Sequence, residues 1–191
     1  MQGTTLSFSN IHRHGELFAK IMEARKPTQL PSNWDYNGAS SHDFDQYDTP
    51  QSRWLAIQSD DGDVLASLRL TPTTAQSGVY SYMIRDAQKG LLEEVPEDLL
   101  FEDAPVEEGT WEMSRANLKP GMFDVDRDVV RYRLLQQLSD TAKNEKIVKL
   151  LALLPTNWES WTLDHDFEIE PAGRVWRVGS RDLQAHILSV G

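Results

Sequence analysis

The 191-residue sequence contains no cysteine, which excludes thiol nucleophiles, disulfides and thiolate zinc sites and fits a reducing compartment. Basic residues are also scarce. Nineteen Lys and Arg against thirty Asp and Glu leave a formal charge of −11, the wrong sign for general binding to nucleic acid or to an anionic membrane. An anionic partner would need a local basic patch. No apolar run reaches the roughly twenty residues that span a bilayer, and the start "MQGTTLSFSN" lacks the charged-then-apolar order of a secretory signal. A cytoplasmic protein with no membrane span is expected. Also missing are a Walker or Rossmann glycine-rich loop, a Gly-x-Ser-x-Gly elbow, and a zinc pattern joining His12, His14, His42, His165 and His186.

The length suits one domain over 1–191 with a substantial core. Ser9 or Asn10 can cap a first helix carrying Leu17, Phe18, Ile21 and Met22 on one stripe. That helix should end near Lys26, because Pro27 disfavours helical geometry before it. The Pro-, Ser- and Asn-rich stretch from Pro27 to Ser41 reads as a long loop, and it holds Trp34 and Tyr36. Arg53 to Gln58 and Val64 to Leu70 are strand-like, and the Asp-Gly turn between them predicts an antiparallel hairpin. A short helix is expected in "YMIRDAQKGLLEEVP", ending before Pro96, and a strand in "TWEMSRANL". The clearest helix starts at Asp124 or Asp126, with Val130, Leu134, Leu138 and Ala142 on one side. "IVKLLALLP" then reads as a buried strand. A strand, a helix of about sixteen residues and another strand form a crossover, so the two strands should be parallel. A helix is expected around Asn157 to Asp164, and two strand-like runs end the chain. The sum is an α/β (α+β mixed) fold built on a mixed sheet.

The segment "HDFDQYD", His42 to Asp48, sets three carboxylates directly before the apolar "RWLAI". A calcium loop starting at Asp43 would need glycine at its sixth position and glutamate at its twelfth, where the chain has Asp48 and Trp54. Extended backbone would point Asp43 and Asp45 the same way, which suits an organic cation or an arginine. Arg69 interrupts the apolar run "LASLRLTP" and needs a partner if buried, so it should pair with one of these aspartates. Glu112 and Arg115 interrupt a second core strand, on opposite faces unless a bulge intervenes. A charge network serving only fold specificity is the competing explanation.

The order of these features, with Arg25 ending the first helix, Trp34 in the loop, then "DFDQYD", "LASLRLTPT", "YMIRDA" and "WEMSR", resembles the bacterial acyl-homoserine lactone synthases, the autoinducer synthases of quorum sensing. The resemblance runs over nearly the whole chain. It implies an acetyltransferase-like three-layer sandwich, a twisted, mostly antiparallel mixed sheet flanked by helices. It also implies a reaction in which S-adenosylmethionine is a substrate and no separate cofactor or metal is needed. The amine of S-adenosylmethionine attacks an acyl thioester, and its carboxylate then displaces the sulfonium to leave a homoserine lactone and methylthioadenosine. Carried over by motif position, Trp34, Asp45 and Asp48 would hold the sulfonium substrate, with Asp43 in the same wall. Arg69 and Arg115 would order the carboxylates, Glu112 would take the proton of the amine, and Arg25 is a further characteristic residue. The family usually has glutamate where this chain has Asp43, and an aromatic where it has Ala116.

The acyl group would come from an acyl carrier protein or from coenzyme A. A carrier protein is acidic and would need basic residues such as Arg131, Arg133, Lys143, Lys146 and Lys149, yet Glu159, Asp164, Asp166 and Glu168 follow. The acyl tail is expected beside "LLALLPT" and Trp158 and Trp161, with Thr156 touching a substituent at the third carbon. Two other readings compete: an N-acyltransferase of the same fold acting on another amine, and a non-enzymatic binding module.

Overall fold

A computed structural model of the protein describes residues 1–25, 43–93, 95–156, 158 and 167–191. Its strands β1 (Gln2–Leu6), β2 (Arg53–Gln58), β3 (Val64–Pro72), β4 (Thr110–Leu118), β5 (Lys149–Pro155), β6 (Phe167–Val178) and β7 (Arg181–Val190) are interleaved with helices α1 (Gly15–Ala24), α2 (Met83–Gln88) and α3 (Asp124–Glu145). The strands are hydrogen-bonded in the order β1-β2-β3-β4-β5-β7-β6. The expected α/β class with a mostly antiparallel mixed sheet is what is found. Among the described residues no helix is long and apolar enough to cross a membrane.

The chain clusters into two compact units, Met1–Arg69 with Arg115–Thr141, and Leu70–Ser114 with Ala142–Gly191. In the first unit β1 pairs antiparallel with β2, from Gln2↔Gln58 to Leu6↔Trp54. The turn after β2 closes through Ser59 N–H to Asp63 O at 2.9 Å, with Gly62 at φ +83, a conformation glycine adopts without steric cost. So tight a connection makes β2 and β3 antiparallel neighbours, as the Asp-Gly signal predicts. The α1 stripe buries Leu17, Ile21 and Met22 against Leu6, Trp54, Ala56 and Val64. Phe18 adds an edge-to-face contact with Trp54, the ring centroids 5.0 Å apart.

α1 starts at Gly15, later than expected. The Asn10 side chain accepts the Ser7 N–H at 2.8 Å and donates to Thr5 O at 3.1 Å, so it secures the end of β1 and a short 3-10 turn at Ile11–Arg13 intervenes. The helix expected at Asn157 to Asp164 lies, apart from Trp158, outside the described residues, as do Pro27 to Ser41.

In the second unit β4 and β5 are parallel over Thr110↔Lys149 to Met113↔Ala152, as the crossover predicts. β7 pairs antiparallel with both β5 and β6. Leu150, Leu151, Ala152, Ala185 and Leu188 are fully buried at the centre of this sheet. α2 is shorter than the expected helix: Gly90, at φ +70, receives the last turn through its N–H to Ala87 O. The pairing of β6 with β7 shifts between Pro171 and Val175, where the segment before Glu102 packs on β6 through Phe101 N–H to Ala172 O. A Cβ on Gly173 would stand 1.7 Å from the Leu99 carbonyl oxygen, which explains a glycine there.

Candidate active site

The acidic segment before β2 is folded around its own carboxylates. Asp45 accepts the Tyr47 N–H at 2.9 Å, and Asp48 accepts the Asp45 N–H at 3.0 Å, the local pattern aspartate favours in turns. The Asp43 N–H donates to Met22 O at 3.0 Å, which ties the segment to α1.

Three arginines from three elements converge on it. Arg25, at the C-terminal end of α1, donates to both oxygens of Asp48 at 2.9 and 3.0 Å. Arg69 in β3 reaches Asp45 at 2.5 Å and Asp48 at 3.1 Å, with its guanidinium carbon 5.6 Å from the centre of the Tyr47 ring. Arg115 in β4 donates to Asp45 through Nε and Nη2 at 3.0 and 2.7 Å, and to Asp43 through Nη1 at 2.9 Å. The Trp54 indole N–H completes Asp48 at 2.7 Å. Asp43 and Asp45 therefore share one arginine, and the partner expected for Arg69 is present.

Arg115 sits at φ +55 within a strand. A left-handed residue breaks the alternation of side chains along a strand, which is the interruption allowed for between Glu112 and Arg115.

Among the described residues, three guanidiniums thus face three carboxylates. An isolated buried charge would cost several kcal/mol, so such a cluster persists only when its charges are paired. The side chains of Asp48, Arg25 and Arg69 are at most 1% exposed, whereas Arg115 and Asp43 keep 21% and 27%. The network has a sealed core and one end open to solvent. Burial pushes the Asp45 pKa up, but the Arg69 and Arg115 guanidiniums, the Arg69 hydrogen bond and Arg25 outweigh it and hold the carboxyl well below the usual range. Burial pushes the Arg25 pKa down, and Asp48 opposes it.

The depressed Asp45 value has a consequence for acid stability. The unfolded chain takes up this proton near the ordinary aspartate value of about 3.9 and the folded chain only at lower pH. The contribution of Asp45 is complete above that range and is lost as the pH falls toward the folded value. In urea titrations between about pH 4 and pH 2, stability should fall less steeply for Asp45→Asn than for the natural protein; equal slopes would mean that Asp45 is not held ionised.

Glu112 lies in the second unit. It is fully buried, and its oxygens accept the Ile84 N–H at 2.8 Å and the Met83 N–H at 3.3 Å, at the start of α2. Tyr82, just before that helix, donates its hydroxyl to Pro105 O at 2.7 Å. Burial, then the charge of Glu112, push the Tyr82 pKa far up, with Arg85 opposing, so the phenol stays protonated. Thr156 is exposed after β5, its N–H donating to Asp182 O at 3.0 Å. Trp34 lies outside the described residues. Among the described residues no group of three or more His, Asp or Glu could hold a metal ion.

The network joins Arg25, Asp43, Asp45, Asp48, Arg69 and Arg115 from the expected set. The sequence reading missed Trp54 as a partner of Asp48, Tyr47 under Arg69, and the Ser81 and Asp86 pair beside Glu112. A tryptophan six residues after an aspartate, or a serine five before one, is too common a spacing to point to either contact.

No family model matches the sequence, and no curated protein sequence matches it. Solved structures do share its fold. The AHL synthase LasI is 17% identical with a TM-score of 0.78, covering 100% of this chain and 90% of that one. BjaI, a CoA-dependent acyl-homoserine lactone synthase solved with SAM and isopentyl-CoA, is 17% identical with a TM-score of 0.71, covering 98% of this chain and 82% of that one. An acyl-CoA N-acyltransferase from Pseudomonas aeruginosa is 12% identical with a TM-score of 0.59, covering 97% of each chain. The chain has the fold of the acyl-homoserine lactone synthases and, more broadly, of the acyl-CoA N-acyltransferases.

Proposed function

We propose that residues 1–191 form one autoinducer-synthase-like acyltransferase domain. It transfers an acyl group from a thioester to the amine of S-adenosylmethionine and then closes the homoserine lactone with release of methylthioadenosine. The observation that carries this reading is the joining of Arg25, Asp43, Asp45, Asp48, Arg69 and Arg115 in one paired network, in a fold shared with the AHL synthase LasI.

The substrate carries a sulfonium, an ammonium and a carboxylate, and a network of matched charges can exchange partners with it at little electrostatic cost. Its open end is the Arg115–Asp43 pair. In this reading the substrate carboxylate takes Arg115, a cationic group takes Asp43, and the sealed Arg25–Asp48–Arg69 core keeps both aimed. Trp34 is assigned to the same substrate. Glu112 receives the proton that the ammonium must lose before its nitrogen attacks the thioester carbon. The thiol leaves, the substrate carboxylate oxygen attacks the γ carbon, and the carbon–sulfur bond breaks to free methylthioadenosine. Thr156, beside the end of β5, is assigned to the acyl chain near its third carbon.

The thioester is carried by coenzyme A or by an acyl carrier protein. BjaI is CoA-dependent, which supports the first, while Arg131 and Arg133 on α3 could serve an acidic carrier. Arg131 is already paired with Asp128 at 2.9 Å. In this reading the protein acts in the cytoplasm, where such substrates are made. The likeness to an acyl-CoA N-acyltransferase favours one other reading, acylation of a different amine without a lactone. Counting thiol and methylthioadenosine released by the purified protein separates the two: equal amounts are expected, and thiol alone would assign the second.

A further inference from the structure

The oxygens of Glu112 are held by backbone N–H groups of Met83 and Ile84, which stay aimed at it only while the turn leading into α2 keeps its shape. Tyr82, at the cap position of α2, makes no side-chain capping hydrogen bond. The closure comes from inside the helix. The Asp86 carboxylate accepts the Ser81 N–H at 2.9 and 3.2 Å and the Ser81 hydroxyl at 2.6 Å. The Asp86 N–H donates to Tyr82 O at 3.0 Å, and the Asp86 carbonyl accepts the Leu91 N–H at 2.9 Å. Asp86 and Ser81 are 0% and 1% exposed. A carboxylate so buried is retained only where its hydrogen bonds are complete. Here those bonds close a loop around residues 82–85, the loop that presents both N–H groups to Glu112.

We propose that Asp86 is a positioning residue: by locking Ser81 it fixes the Met83 and Ile84 N–H groups that orient the Glu112 carboxylate. Its effect on turnover rests on the role given to Glu112 above, whereas its effect on the two amides does not. Losing a buried hydrogen bond of this kind corresponds to about a tenfold change in a local opening equilibrium or a rate.

Two readouts test this in the purified full chain. In Asp86→Ala, amide hydrogen exchange at Met83 and Ile84 should quicken about tenfold while the β5 amides keep their rates, and Asp86→Asn, which retains an acceptor for Ser81, should restore most of the protection. With S-adenosylmethionine and an acyl thioester, Asp86→Ala should lower kcat about tenfold and leave the KM for S-adenosylmethionine within about twofold. In a Glu112→Gln background the same change should cost less than about twofold, because the group it positions is gone. Ser81→Ala, which removes a single hydroxyl contact, should show a weaker form of both effects and covers the case in which Asp86→Ala does not fold. An unchanged exchange rate at Met83 and Ile84, or the same loss of kcat with and without Glu112, overturns the proposal. A natural protein that releases no methylthioadenosine counts against the proposed reaction instead, and the exchange arm then decides on Asp86 by itself.

Discussion

Asp48→Ala is expected to destabilise the unit formed by Met1–Arg69 and Arg115–Thr141 by about 3–5 kcal/mol, the usual cost of removing one partner from a buried ion pair. The Arg25 guanidinium, the Trp54 indole and the Asp45 backbone donate to this one carboxylate, and the Arg69 guanidinium forms an ion pair with it at 3.1 Å. None of these donors can turn to water, because Asp48 and both arginines are sealed. The change leaves Arg25 and Arg69 sharing a buried region in which Asp45 is the remaining fully packed carboxylate among the described residues. A loss of this size is a large part of the roughly 5–15 kcal/mol that holds a typical domain folded. Urea unfolding at neutral pH measures it directly. A midpoint shift worth less than about 1 kcal/mol would mean that the network behaves like a surface ion pair and is not what holds this segment.

Glu112→Gln is expected to slow methylthioadenosine release by about a hundredfold to ten-thousandfold, the range over which a positioned general base contributes. Both oxygens of Glu112 accept backbone N–H groups, and glutamine offers one acceptor and a competing donor. One N–H at the start of α2 is left without its acceptor, which costs about 1–3 kcal/mol. Rates must therefore be compared well below the unfolding temperature of the variant. A variant with full protection at Met83 and Ile84 and an unchanged rate would remove Glu112 from the reaction.

The parts of the fold that could be read from the sequence are those where burial and local chemistry agree. "RWLAIQ" and "TWEMSRANL" became β2 and β4 with the expected limits because apolar runs end there at turn residues. β3 runs two residues past Leu70, to Pro72. α3 starts at Asp124 as expected and runs on to Glu145, so its 22 residues extend past the apolar stripe that ends at Ala142. β1 was not legible: in Gln2–Leu6 only Leu6 is buried, and the segment is a strand because β2 pairs with it. Tertiary pairing, and not its own pattern, decides its state.

The same division applies to the site. Arg69 in an apolar strand announces a buried partner, and the nearby run of aspartates supplies it. The resemblance had Arg115 order the carboxylates together with Arg69, but that Arg25 would take up Asp48 was not legible, because nothing in the spacing of "HDFDQYD" fixes how many cations meet it. The structure turns an acidic segment into a network of ion pairs whose solvent-facing end is Arg115 with Asp43. The hold of α2 on Glu112 depends on contacts 28 and 29 residues apart in the chain, which no local pattern reveals.

The reaction itself is tested most directly by product stoichiometry. The purified protein is given S-adenosylmethionine and the same acyl group on coenzyme A and on a carrier protein, and free thiol, methylthioadenosine and the mass of the acyl product are followed together. One methylthioadenosine per thiol, with a product mass equal to acyl-homoserine lactone, is the predicted result. Thiol release with an acylated amine and no methylthioadenosine would contradict it.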